Sequence, residues 1–273
     1  MLTWDSISKW GRRGSDAGAI PAAAPARDLM LEAIIAHEQV ELVYQPVIEA
    51  STGRVVGAEA LARCAISESA DALFARAASA ALGERLSRLL QRKALRSAAV
   101  WEGPLKGLNV SINLLPADVC RHGYDEWLLD ELRAAAIDPR RITLEITEGT
   151  LVADHRGAGE RLARLREAGL RVAIDDFGTG YASLAYLTAL PIDLIKIDRG
   201  LVARIASDER DRIVVRALIQ LARDLGLDVL VEGVETAGQL SLLNDWGCDF
   251  YQGFLSASPM SHEELIRFVA GEA

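Results

Sequence analysis

Eight short β-rich runs dominate the chain between residues 41 and 256, and from the second onward they alternate with longer helical stretches. The runs are ELVYQPVI (41–48), VVGAEALA (55–62), GLNVSINL (107–114), RITLEITE (141–148), RVAIDDFG (171–178), DLIKIDRG (193–200), LDVLVEGV (227–234) and DFYQGFLS (249–256). Most are too continuously apolar for strands with one wet face, so they suit a sheet buried on both faces. Apolar residues at three- and four-residue steps mark the helices between them: Ile213, Ala217, Leu218, Leu221 and Leu225 in one, Leu162, Leu165 and Gly169 in another. Gly169, Gly226 and Gly247 each stand just before a strand, where a left-handed residue ends a helix. This alternation predicts an α/β chain folded as a (β/α)8 TIM-type barrel, with a doubly wound open sheet as the competing arrangement. The first two runs are joined only by EASTGR, too short for a parallel crossover, so the barrel is expected to have an antiparallel first strand.

The barrel is expected to occupy residues 29–273 as one domain. Residues 1–28 carry Trp4 and Trp10 and then the Ala/Pro/Gly-rich stretch Ala17–Ala26, which reads as a tail and linker. Half of the 273 residues are hydrophobic, which gives enough apolar surface for a core and excludes disorder for most of the chain. With 30 Lys+Arg against 39 Asp+Glu the net charge is −9, which argues against a nucleic-acid polymer as partner. An anionic ligand then needs a metal to supply positive charge. Cys64, Cys120 and Cys248 are odd in number and lack CxxC spacing, so they read as reduced thiols. No apolar run approaches the roughly 20 residues of a membrane span, and the N-terminus lacks a signal-peptide stretch, so a cytoplasmic protein is expected.

The informative feature is where the runs stop being apolar. Glu59, Asn113, Glu145, the pair Asp175–Asp176, Lys196 with Asp198, Glu232 and Gln252 all fall toward the C-terminal part of their runs. In a barrel those ends converge on the face where active sites are built. A buried carboxylate is costly unless it is paired or holds a metal. The set is all oxygen, without His or Cys, which suits Mg²⁺ or Mn²⁺ better than zinc or copper. Consecutive strand residues point to opposite faces, so Asp175 and Asp176 reach one centre only if the strand ends there. An aspartate so placed can bridge two metals, an arrangement that cleaves phosphate esters. Lys196 is suited to hold a phosphate or the attacking water, and Glu232 to accept a proton or complete a metal site. A plain Lys196–Asp198 ion pair is the structural alternative. His37, His122, His155 and His262 lie outside the runs and read as surface residues. The GTG of 178–180 lacks the rest of a nucleotide-binding fingerprint.

The run Glu59-Ala60-Leu61-Ala62-Arg63 resembles the signature of EAL-domain phosphodiesterases, which hydrolyse cyclic di-GMP. Asn113-Leu114-Leu115-Pro116, Glu145-Ile146-Thr147-Glu148, Asp175 to Gly180, Lys196-Ile197-Asp198, Glu232 to Thr236 and Gln252-Gly253-Phe254 resemble that family's further blocks, in its order. The resemblance implies a barrel with an antiparallel first strand, two Mg²⁺ or Mn²⁺ ions, cleavage to linear pGpG, and a homodimer. It implies that Glu59, Asn113, Glu145 and Asp175 hold one metal, and Asp175 with Asp176 the other. Lys196 would orient the attacking water, and Glu232 would act as base or second-metal ligand. Glu59, Lys196 and Glu232 are thus the catalytic set. Gln45, Leu61, Arg63, Asp198 and Gln252 would line the substrate groove, and Glu148 would steady the loop after Asp176. Asn109 is an alternative to Asn113, less favoured by the following Pro116 and the distance to Glu145. Cys64 stands where the family usually has Trp, Leu115 replaces its usual serine, and residues 65–81 lack its usual Pro and Ala-Glu pair. Because family members that lose acidic ligands bind without cleaving, a non-catalytic cyclic di-GMP receptor is the alternative function.

Overall fold

The computed structural model describes residues 27–147, 155–178, 187 and 190–272. Eight strands close into a barrel in chain order. They are β1 (Glu41–Glu49), β2 (Val55–Arg63), β3 (Asn109–Leu114), β4 (Ile142–Thr147), β5 (Arg171–Phe177), β6 (Leu194–Ile197), β7 (Asp228–Val231) and β8 (Phe250–Tyr251). β1 runs antiparallel to both β2 and β8, and all other neighbours are parallel. The reversal begins in the EASTGR turn, where the Glu49 N–H donates to the Arg54 carbonyl at 2.9 Å and Gly53 takes φ 72°. Pairing of β1 with β8 closes the sheet and removes the open-sheet alternative.

Residues two apart on a strand share a face, and this sorts the barrel interior into rows. Val47, Ala173, Leu194 and Leu230 form a closed apolar cluster with Val56 and Phe250 at one end. Two residues along the same strands stand Gln45, Asp175, Lys196 and Glu232. β2, β3 and β4 repeat the step, from Gly57, Ser111 and Thr143 to Glu59, Asn113 and Glu145. The outward faces pack under helices, with Leu128, Leu132, Leu162, Leu165, Ile219 and Leu243 in one continuous core. A second cluster joins helices Leu29–Ala36, Ala70–Ser79 and Gly83–Ala99 through Leu31, Leu73 and Leu86.

Several expectations need correction. Helix Glu209–Asp224 buries Val215, Ile219 and Ala222, while Ile213 is 61% exposed and Leu225 41%. Leu218 and Leu221 of the expected stripe pack partly buried against the core, whereas its two ends face solvent. His37 and His122 are exposed, but His262 lies 6.3 Å from the rings of Tyr44 and Trp101, with Nδ1 buried. The His155 side chain lies outside the described residues. The last three strands are shorter than their runs, so Asp198, Glu232 and Gln252 stand just past strand ends. Gly169, Gly226 and Gly247 do take positive φ, at 107°, 73° and 79°. The three cysteines are free. Among the described residues no helix is long and apolar enough to cross a membrane.

Candidate active site

The C-terminal ends of the strands open into a cleft of about 770 Å³. Its floor is a cluster of buried charge centred on Lys196, whose side chain is 1% exposed. The ammonium lies 2.8 Å from Glu145, 2.9 Å from Asp175, 2.9 Å from Glu232 and 3.4 Å from Glu59. These partners come from β4, β5, the end of β7 and β2, so the centre exists only once the barrel closes. The alternative of a simple Lys196–Asp198 pair is not what forms. Asp198 caps helix Arg199–Val202 by accepting from the Gly200 N–H at 2.7 Å.

Glu59 also accepts from Gln252 Nε2 at 2.9 Å and from Asn113 Nδ2 at 3.3 Å. Gln252 Nε2 donates as well to Gln45 Oε1 at 2.9 Å, the residue opposite Glu59 in the β1–β2 pairing. Gln252 Oε1 is buried and finds no donor among the described residues. Asn109 pairs with Gly57 at the far end of β3 and lines no part of the cleft, whereas Asn113 does.

The strand ends one residue past the aspartate pair, close to where the sequence places its end. β5 continues to Phe177, but its register with β6 slips: Ile174 faces Ile195 and Phe177 faces Ile197. Three steps on one strand against two on the other make a bulge. Within it Asp176 takes φ 55°, a left-handed conformation that aspartate tolerates better than most side chains. The bulge turns both carboxylates toward one point, and oxygens of Asp175, Asp176 and Glu232 all lie within 4.8 Å of one another.

Four carboxylates around one ammonium leave excess negative charge, which shifts how tightly each group holds its proton. Burial would lower the Lys196 pKa, but the surrounding carboxylates, Glu145 foremost, hold it well above its ordinary value. Burial raises Glu59 too, yet Lys196 and the Gln252 and Asn113 donors bring it below the usual carboxylate value. Glu145 is pushed well above that range by burial and then by Glu59. Burial pushes Glu232 up to about 7, with Lys196 opposing and Asp175 adding. Asp176 is raised by burial, then by Asp175 and Asp198. Such a site takes up protons or cations, and its oxygen donors fit divalent metals.

Leu61, Arg63 and Asp198 line the cleft, and the exposed Arg63 donates to the Ala62 carbonyl at 2.8 Å. Glu148 and the loop from 179 to 186 lie outside the described residues. Ser87 and Gln91 also line the cleft, from helix Gly83–Ala99. A search of strand ends misses them, and only Asp118, three residues after Leu115, hinted at a local cap.

This barrel, with acidic groups gathered at its C-terminal mouth, is the architecture of a known family. Residues 28–259 match the EAL domain model, and the chain belongs to the EAL domain family. A cyclic di-GMP phosphodiesterase of Pseudomonas aeruginosa is 37% identical over 238 residues, 86% of this chain and 40% of its own length. The MucR phosphodiesterase, solved as a c-di-GMP complex, superposes with a TM-score of 0.79 at 33% identity, covering 86% of this chain and 97% of that one. The Klebsiella pneumoniae BlrP1 complex with manganese and cyclic di-GMP gives 0.73 at 33% identity, covering 81% and 56%. The chain spans less than half the length of the curated relatives it matches.

Proposed function

We propose that residues 29–273 form a metal-dependent phosphodiesterase that hydrolyses cyclic di-GMP to linear pGpG, with residues 1–28 as a tail. The observation that carries this reading is the Lys196 cluster. Glu59, Glu145, Asp175 and Glu232 surround Lys196, Asn113 and Asp176 line the cleft above them, and an Asp176 oxygen comes within 4.8 Å of Asp175 and Glu232.

Glu59, Asn113, Glu145 and Asp175 would hold one Mg²⁺ or Mn²⁺ ion, and Asp175 with Asp176 a second. When bound, such a pair neutralises the phosphate and acidifies the attacking water. The remaining work belongs to the chain. Lys196, whose three N–H groups are shared among four carboxylates, would orient the water when those carboxylates turn to the metal. Glu232, whose carboxylate lies beside Asp175 and Asp176, would accept the water's proton or complete the second metal site. Arg63 stands at the rim with a guanidinium suited to grip a phosphate through two parallel hydrogen bonds. Gln45, Leu61, Asp198 and Gln252 would complete the groove, and Glu148 would steady the loop after Asp176.

The test is conversion of cyclic di-GMP to pGpG by pure protein in Mg²⁺ or Mn²⁺, with a chelator control. Binding without turnover would make the chain a receptor, and turnover in chelator would overturn the metal mechanism. We further propose that the chain works as a homodimer; sedimentation velocity tests this, with a monomer as the overturning result.

A further inference from the structure

A second polar cluster lies behind the cleft wall, built around a carboxylate that the reaction does not use. Asp118 is fully buried on helix Pro116–Cys120. It accepts from Ser87 Oγ at 2.5 Å, Arg121 Nη1 at 3.0 Å, the Leu115 N–H at 3.3 Å and Gln91 Nε2 at 3.4 Å. Gln91, 2% exposed, also donates to the Asn113 carbonyl at 3.3 Å and to Ser87 Oγ at 3.0 Å. The phenol of fully buried Tyr124 donates to Gln91 Oε1 at 2.8 Å. Burial, then the Asp118 charge, keeps that phenol protonated by raising its pKa well above the ordinary value.

Two features give this cluster a purpose. The β2–β3 ladder stops at Glu59–Ser111, two residues before Asn113, so that side of the Asn113 segment lacks a strand partner. Leu115 occupies the position before the short helix, where a side-chain oxygen ordinarily caps the first turn, and it has none. Asp118 takes the orphaned Leu115 N–H, and Gln91 takes the Asn113 carbonyl. The backbone that carries Asn113 is thus held by Gln91 from helix Gly83–Ala99 and by Asp118 from the short helix that follows it, opposite its pairing with β4. Asn113 is also the one neutral group in the proposed ligand set. A carboxylate attracts a cation over several ångströms, whereas a carboxamide contributes only if its oxygen is placed correctly.

We propose that Gln91, seated by Asp118 and Tyr124, is a positioning residue that sets where Asn113 presents its amide to a divalent cation. This rests on the reading of Asn113 as a metal ligand given above. Residues that orient a ligand typically change metal affinity by 10–100-fold when removed.

The experiment titrates Mn²⁺ into metal-free protein by calorimetry, alongside thermal melts without metal, for the parent, Gln91→Met, Asn113→Ala and the double variant. Gln91→Met should weaken Mn²⁺ about tenfold or more. The double variant should lose no more than Asn113→Ala alone, because both changes remove one contribution. Tyr124→Phe keeps the ring and removes only the donor to Gln91. It should weaken Mn²⁺ several-fold, and it carries the test if Gln91→Met does not fold. Unchanged Mn²⁺ affinity in folded Gln91→Met, or in Tyr124→Phe where that variant carries the test, overturns the inference. So do additive losses in the double variant. Unchanged affinity in Asn113→Ala overturns instead the reading of Asn113 as a ligand.

Discussion

Two rows of side chains line the barrel on the same strands, two residues apart, and they do opposite work. Leu194 and Leu230 pack with Val47 and Ala173, buried and apolar, and hold the strands together. One step along, Lys196 and Glu232 join Asp175, Glu145 and Glu59 in a cluster with four carboxylates and one ammonium. The lower row stabilises through area removed from water, roughly 25 cal/mol per Å². The upper row works against stability, since each buried charge loses hydration and only one cation faces four anions. The fold supplies both rows by one rule, the two-residue repeat of a strand. What separates them is position: Glu59, Asp175 and Glu232 of the upper row line the cleft, and no residue of the lower cluster does.

That contrast can be broken by swapping the effects. The largest expected change is at Asp176→Asn, which should lower turnover more than ~100-fold, since small misplacements at a reacting centre already cost about that much. Cyclic di-GMP binding should remain measurable by calorimetry, because Arg63 and the other groups are untouched. Near-normal turnover would remove Asp176 from the site.

Next is Leu194→Ala in the lower row. A cavity there should cost about 2–5 kcal/mol in denaturant unfolding, while turnover per folded molecule stays within a few-fold of the parent. A specific loss of chemistry with stability intact would show that the rows are not separable.

Glu145→Gln sharpens the comparison from the other side. It removes one of four crowded carboxyl groups without changing volume, so the metal-free protein should melt at a higher temperature while turnover collapses. A lower melting temperature would mean that the Lys196–Glu145 pair outweighs the repulsion.

The pH dependence follows the same logic. In the metal-free protein the Glu232 carboxyl is raised from its ordinary 4.5 to about 7. Its stabilising contribution is therefore complete below about 4.5 and lost as the pH rises through about 7. Melts across that window should fall with pH, and Mg²⁺ should flatten the slope. The smallest effect belongs to the surface: Arg140→Ala breaks an exposed pair with Asp138 and should leave the denaturant midpoint nearly unchanged.

Much of this was legible from residues alone, and the reason differs by feature. The eight runs and the reversed first strand rest on apolar periodicity and on the shortness of EASTGR, both local properties of the chain. The polar positions at the strand ends were readable because a buried strand has no other reason to carry an acid. On the helix from 209 to 224 the spacing places Leu218 and Leu221 on the core side, but Ile213 and Val215 are equally apolar and only packing buries the second. His262 was placed at the surface, yet neighbours far away in sequence, Tyr44 and Trp101, make it part of an aromatic cluster.

The sequence by itself determined the strand order, the turn that reverses β1, and which residues would gather at the mouth, because period, loop length and composition act within a few residues. The tertiary structure decided what those residues do to one another. Lys196 meets Glu59 across 137 residues and Glu145 across 51, so its four-carboxylate surroundings exist only in the closed barrel. The bulge that turns Asp176 inward is a mismatch between β5 and β6, invisible in either strand alone. Gln91 reaches Asn113 and Tyr124 only because a helix lies against the barrel wall. Local chemistry chose the groups, and long-range packing set their distances, on which charge and metal binding depend.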